Sequence, residues 1–172
     1  EVLPRGGGVA DWSPHWARVG ISFALPHTPD STRVDWYGRG PGSAYPDTGQ
    51  GAHLGWFSAS VAQLQERTVR PQESGARAAV RWARFGDVLD VDSEAGVTMT
   101  VSPWPTRHVA TTSHDHLLRA DGSAHVNIDW AVSGVGTAAC GPGPLPIYVL
   151  KARSVTGSMT FTPLNENREN IK

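Results

Sequence analysis

An all-β fold, an antiparallel β-sandwich with one or two short helices, is what this sequence predicts, on three observations. Several segments alternate apolar and polar residues with the two-residue period of a half-buried strand. The chain of 172 residues contains 19 Gly and 13 Pro, which cut it into short pieces separated by turns. The regular succession of strand and long helix that marks a parallel α/β protein is missing.

Taken in order, the clearest strand runs from Arg18 to Leu25. It sets Val19, Ile21, Phe23 and Leu25 on one face and Arg18, Gly20, Ser22 and Ala24 on the other, and Pro26 stops it. Arg33–Tyr37 is a weaker strand, and Gly55–Gln65 reads as a short helix. Ala76–Phe85 and Val88–Val91 follow as strands. Val97, Met99 and Val101 alternate with Thr98, Thr100 and Ser102 before Pro103, and Trp104–Ser113 is the second short helix. Val126, Ile128, Trp130 and Val132 alternate with His125, Asn127, Asp129 and Ala131. Leu145–Ala152 and Gly157–Thr162 complete the set. Turn clusters at Arg39-Gly40-Pro41-Gly42, Ala120-Asp121-Gly122-Ser123 and Gly141-Pro142-Gly143-Pro144 separate them. One domain spans 1–164 and a polar tail occupies 165–172.

Composition narrows the function classes. Fifteen Lys and Arg against 16 Asp and Glu leave a formal charge of −1, too balanced for a nucleic-acid or anionic-membrane binder. No run approaches the roughly 18 apolar residues of a membrane helix, and Glu1–Gly6 lacks the basic and apolar regions of an export signal. Cys140 is the single cysteine, so no internal disulfide forms and a cytoplasmic setting is expected.

Candidate chemistry is sparse. His114-Asp115-His116, with His108 and His125, is the one cluster that invites a metal reading, but capping and surface hydrogen bonding account for it better, and no metal site is expected. Ser113, His114 and Asp115 are sequence neighbours, whereas a nucleophilic triad converges from separate elements. Gly6-Gly7-Gly8 leads into no helix and cradles no phosphate. Glycoside hydrolysis needs two carboxyl groups about 5–5.5 Å or about 6.5–9.5 Å apart, and the acids present no such pair; Asp87, Asp90, Asp92 and Glu94 read as a solvated loop. The seven Trp stand out. Trp36, Trp82 and Trp130 lie on strand patterns and are assigned to the core, leaving Trp12, Trp16, Trp56 and Trp104 as candidate platforms for a sugar.

Five ordered blocks carry a family resemblance. Trp36-Tyr37-Gly38-Arg39-Gly40-Pro41 with Tyr45-Pro46-Asp47, then Arg70-Pro71-Gln72-Glu73-Ser74-Gly75-Ala76-Arg77 with Val80-Arg81-Trp82, Thr112-Ser113-His114-Asp115-His116-Leu117-Leu118, Asn127-Ile128-Asp129 and Gly134–Pro142 resemble the C-terminal small-chain domain of family-two glycoside hydrolases of the β-galactosidase type. The likeness runs from about residue 17 to about residue 164.

The resemblance implies that 1–164 is the C-terminal part of a larger sandwich, the galactose-mutarotase-like supersandwich. It implies a parent enzyme that cleaves terminal β-D-galactosides with retention, using two glutamates on a TIM barrel outside this chain. A barrel needs about 250 residues, so no catalytic residue carries over and the isolated chain is expected to be inactive. The domain would support the barrel and other domains of the parent, shape one wall of the cleft and meet the β-galactoside substrate at its rim. No cofactor is implied here; magnesium and sodium or potassium ions belong elsewhere in the parent, which is expected to be a homo-oligomer.

In some members a loop places a tryptophan against the substrate. The corresponding stretch is taken as Gly86–Ala95, which has no Trp, so Asp92, Ser93 and Glu94 become the cleft-rim candidates. Ser43 and Thr48 stand where the family carries an acid and an Arg, which removes a salt-bridge partner. Arg70, Glu73, Arg77 and Arg81 are read as a buried or interfacial polar network, because Arg ties several carbonyls at once. Trp36, Arg39, Gly40, Pro41, Pro71, Gly75 and Trp82 join them as the structural motif. Two other readings compete: a stand-alone carbohydrate-binding module using exposed Trp, and an aldose epimerase employing His114 or His116 with Glu73.

Overall fold

The computed structural model describes residues 15–26, 32–137 and 141–164. Gly6-Gly7-Gly8, Trp12, Cys140 and the 165–172 tail lie outside the described residues.

Seven antiparallel strands dominate: β1 (Arg18–Leu25), β2 (Arg33–Gly40), β3 (His53–Ser60), β4 (Arg77–Phe85), β5 (Leu89–Ser102), β6 (Ala124–Val132) and β7 (Thr160–Pro163). They form one sheet in the order β1-β6-β5-β4-β2-β3, and β7 pairs with β5 off this path. The only α-helix among the described residues is α1 (Thr106–Thr111).

β5 organises the sheet. Its first residues, Leu89 to Asp92, pair with β7, while Thr98 to Ser102 pair with β6. Between them Gly96 adopts φ +79° opposite Ala79, itself at φ +52°. A Cβ on Gly96 would lie 3.2 Å from Ala79 Cα, so the irregularity needs glycine both for its backbone angle and for the close approach.

The bend lets the sheet fold over itself. In a flat sheet β1 and β4, three strands apart, would stand roughly 14 Å from one another; instead Phe23 of β1 meets Phe85 of β4 edge-on at 6.3 Å and Phe161 of β7 at 5.9 Å. This layered all-β arrangement agrees with the predicted fold class. Trp36, Phe85, Met99 and Ile128 are the largest apolar side chains sealed inside, each worth about 1.5–3 kcal/mol of burial.

Three expectations are corrected. Gly55–Gln65 is not a helix: β3 takes His53–Ser60, because Trp36, Tyr37 and Gly38 of β2 supply ladder partners to Phe57, Trp56 and Gly55. Pairing there overrides weak local preference. Leu145–Ala152 is not a strand, since Pro144 and Pro146 lack N–H donors; Pro146–Tyr148 coils into a 3₁₀ turn. Gly86–Ala95 is not a loop either, for β5 already begins at Leu89.

Candidate functional site

β1 and β6 bring together what the chain separates. β6 buries residues on both faces: Val126 and Ile128 enter the core, and Asn127 and Asp129 are buried on the other side. Arg18, at the start of β1, donates from Nη1 to Asp129 Oδ2 at 3.1 Å and from Nη2 to Glu73 Oε2. Glu73 Oε1 in turn accepts from the Tyr45 hydroxyl at 2.7 Å. One guanidinium therefore sits between two carboxylates, a convergence the sequence reading did not foresee. Asp129 is 1% exposed; burial pushes its carboxyl up to about 6, although Arg18 pulls the other way. Burial, reinforced by Glu73, also holds the Tyr45 hydroxyl above its ordinary value.

The seam extends in both directions. Arg77 is 4% exposed. Its Nη1 donates to Gly75 O at 2.6 Å and Leu64 O at 3.3 Å, and its Nη2 to Pro41 O at 3.0 Å, with the guanidinium 5.9 Å from the Trp36 ring. Burial lowers its pKa. Trp36 Nε1 donates to Arg39 O at 3.2 Å, which fixes the same turn from inside. Asp47 accepts the N–H groups of Val135 at 3.1 Å and Gly136 at 2.7 Å. Arg67 Nη2 meets Asp115 Oδ2 at 2.5 Å. Ser43 finds an acid after all: its N–H and Oγ donate to Glu66 at 3.1 and 2.9 Å.

A small cavity opens beside the seam, lined by Arg18, Glu73, Thr100, Trp104, Asp115 and Asn127 among others. It holds about 60 Å³, room for roughly four waters and too little for a pyranose ring. Thr100 Oγ1 is buried beside it without a protein partner. Glu73 and Asp129 are both engaged by Arg18, so the three groups form one ion-pair network beside this cavity.

The predicted residues divide. Trp36, Gly40, Pro71, Glu73, Gly75 and Arg77 belong to the seam or to the core beneath it; Gly75 takes φ +79°. Arg39, Arg70 and Arg81 are exposed, and none of these three side chains joins the network. Pro41 is exposed too, contributing its carbonyl alone. Asp92 and Glu94 are exposed on β5, whereas Ser93 is 5% exposed with its Oγ donating to Ser158 O at 3.1 Å. Trp82 is half-buried on the sheet's outer face rather than in the core.

The His114 and His116 rings lie 5.6 Å apart, tilted by 41°, His108 Nε2 accepts from Arg119 N–H at 3.2 Å, and His125 pairs with Asp121 at 3.0 Å. Among the described residues no three His, Cys, Asp or Glu converge on a metal-sized point. The described residues include no helix long and apolar enough to cross a membrane.

These features define an all-β domain in which an arginine and two carboxylates from distant sequence blocks are joined in one ion-pair network. The chain belongs to the β-galactosidase small-chain family, whose model it matches over residues 4–162. It is 28% identical over 167 residues to a β-galactosidase of Arthrobacter sp. (strain B7), covering 91% of this chain and 16% of that protein. A β-galactosidase of Staphylococcus xylosus is 28% identical over 152 residues, 87% of this chain and 15% of its own length. One from Vibrio cholerae serotype O1 is 32% identical over 123 residues, 72% of this chain and 12% of its own. The chain thus spans about a sixth or less of the curated relatives it matches.

Proposed function

We propose that this chain is a non-catalytic domain of a retaining β-galactosidase acting on terminal β-D-galactosides. Two glutamates on a TIM barrel outside these residues perform the hydrolysis. The domain supports that barrel and shapes one wall of its cleft. The observation that carries the reading is the family match over 4–162 set beside relatives named β-galactosidase that are several times longer. The seam is consistent with a supporting role: Arg18 ties Glu73 and Asp129 together across strands and loops far apart in sequence. A cytoplasmic homo-oligomer, with magnesium and sodium or potassium bound away from this domain, is the parent that this reading entails.

Sequencing the coding region around residues 1–172 tests it. An in-frame barrel with two facing glutamates is the expected result. An independent short gene with no barrel partner nearby would contradict it.

A further inference from the structure

The sheet's outer face carries an arrangement that bracing does not use. In the ladder Tyr37 of β2 stands opposite Trp56 of β3 and Trp82 of β4, and Trp82 stands opposite Asp92 of β5. Trp56 leans across β2, with its ring 5.0 Å from Tyr37 and 5.4 Å from Trp82, yet it remains 70% exposed. A parallel polar row runs alongside, with Asp35 opposite Ser58 and Arg84, and Arg84 opposite Asp90. Arg84 binds Asp90 through two bonds of 2.7 Å and covers Trp82 at 5.4 Å. Ser58 Oγ and Arg33 Nε both donate to Asp35 Oδ1. Rings and polar row together edge a shallow, open recess on the sheet surface.

Exposed indoles beside hydrogen-bonding groups fit a ligand that is apolar on one face and hydroxylated at its edge. A protein interface fits less well, because interface centres are depleted of charge and burying the acidic and basic groups of the polar row carries a desolvation penalty. An anion is not favoured either: in the polar row the carboxylates of Asp35 and Asp90 already engage the guanidinium groups of Arg33 and Arg84. We propose that the outer face of β3, β2 and β4 is a binding site for a neutral pyranose oligosaccharide, with a sugar ring stacked on the exposed Trp56 and its hydroxyls bonded to Asp35 and Arg84. This goes beyond the bracing role and is independent of where hydrolysis occurs.

The test is calorimetric titration of the full 172-residue chain with β-1,4-galactotetraose, cellotetraose and lactose, followed in parallel by tryptophan emission. Saturable binding of at least one tetrasaccharide is expected. Trp56→Ala, an exposed site that leaves the fold intact, weakens it by about tenfold or more, and Asp35→Asn weakens it less. Flat titrations with all three sugars on folded protein would overturn the proposal, as would binding that survives Trp56→Ala. Self-association abolished by Trp56→Ala, with no sugar bound, would also overturn it by assigning the face to a second copy. Each of these failures leaves the bracing role standing, since that role rests on the parent's coding sequence and on hydrolysis.

Discussion

The seam around Arg18 and the outer face around Arg84 are built from the same chemistry and do opposite things. Each sets an arginine against carboxylates on neighbouring strands. The Arg18 side chain is 19% exposed and its partner Asp129 2%, whereas the Arg84 side chain is 44% exposed and its partner Asp90 13%. A buried guanidinium cannot be withdrawn without stranding charge, so it enforces geometry. An exposed one is screened and exchanges partners with water at little cost, so it is available to a ligand. Burial, not residue type, separates brace from binding surface.

The sharpest way to break this comparison is Arg18→Met. It strands the buried Asp129 carboxylate, while Glu73 keeps solvent and Tyr45, and urea denaturation should show a loss of about 3 kcal/mol. A change below about 1 kcal/mol would place the seam on a par with the surface.

Next in size is a pH effect. Asp129 has a folded pKa raised to about 6, above its ordinary value of 3.8, so the native state holds that proton more tightly than the unfolded chain. The stability this supplies is full below about pH 4 and is lost as pH rises through 6. Asp129→Asn keeps the group neutral and leaves Arg18 paired with Glu73. Its stability relative to the parent chain should therefore improve by on the order of 2–3 kcal/mol between pH 4 and pH 7. Denaturation midpoints at the two pH values decide; a gap that widens toward pH 4 would refute the assignment.

Tyr45→Phe removes one hydrogen bond to a charged acceptor and should cost about 1.5 kcal/mol by the same measurement. At the small end, Arg84→Met on the outer face should cost about 1–2 kcal/mol, less than Arg18→Met because the Arg84 side chain is 44% exposed although its partner Asp90 is 13% exposed. Equal losses for Arg84→Met and Arg18→Met would erase the contrast between the two regions.

Much of the sheet was legible because alternation is local. β1 appears with the predicted bounds, Arg18–Leu25, and β6 keeps Val126 and Ile128 inside. Trp82 was misplaced for a physical reason: the register shifts between Arg77, Val80 and Trp82 break the two-residue period, so Val80, Ala83 and Phe85 turn inward and the indole turns out. The seam was half legible. Glu73 and Arg77 were marked by their motif, but Arg18 meets Glu73 across 55 positions and Asp129 across 111, and no local pattern encodes such a meeting. The polar faces of β1 and β6, with Arg18 and Ser22 on one and Asn127 and Asp129 on the other, held the available signal. Ser22 Oγ does donate to Asn127 Oδ1.

The central claim is that this chain braces an enzyme and does not itself cleave glycosides. Incubating the purified chain with lactose and following galactose release tests that most directly. The account expects release no faster than in buffer. Sustained turnover that disappears with Glu73→Gln would contradict it, because the carboxylate held by Arg18 and Tyr45 would then be an acid or a nucleophile rather than part of a brace.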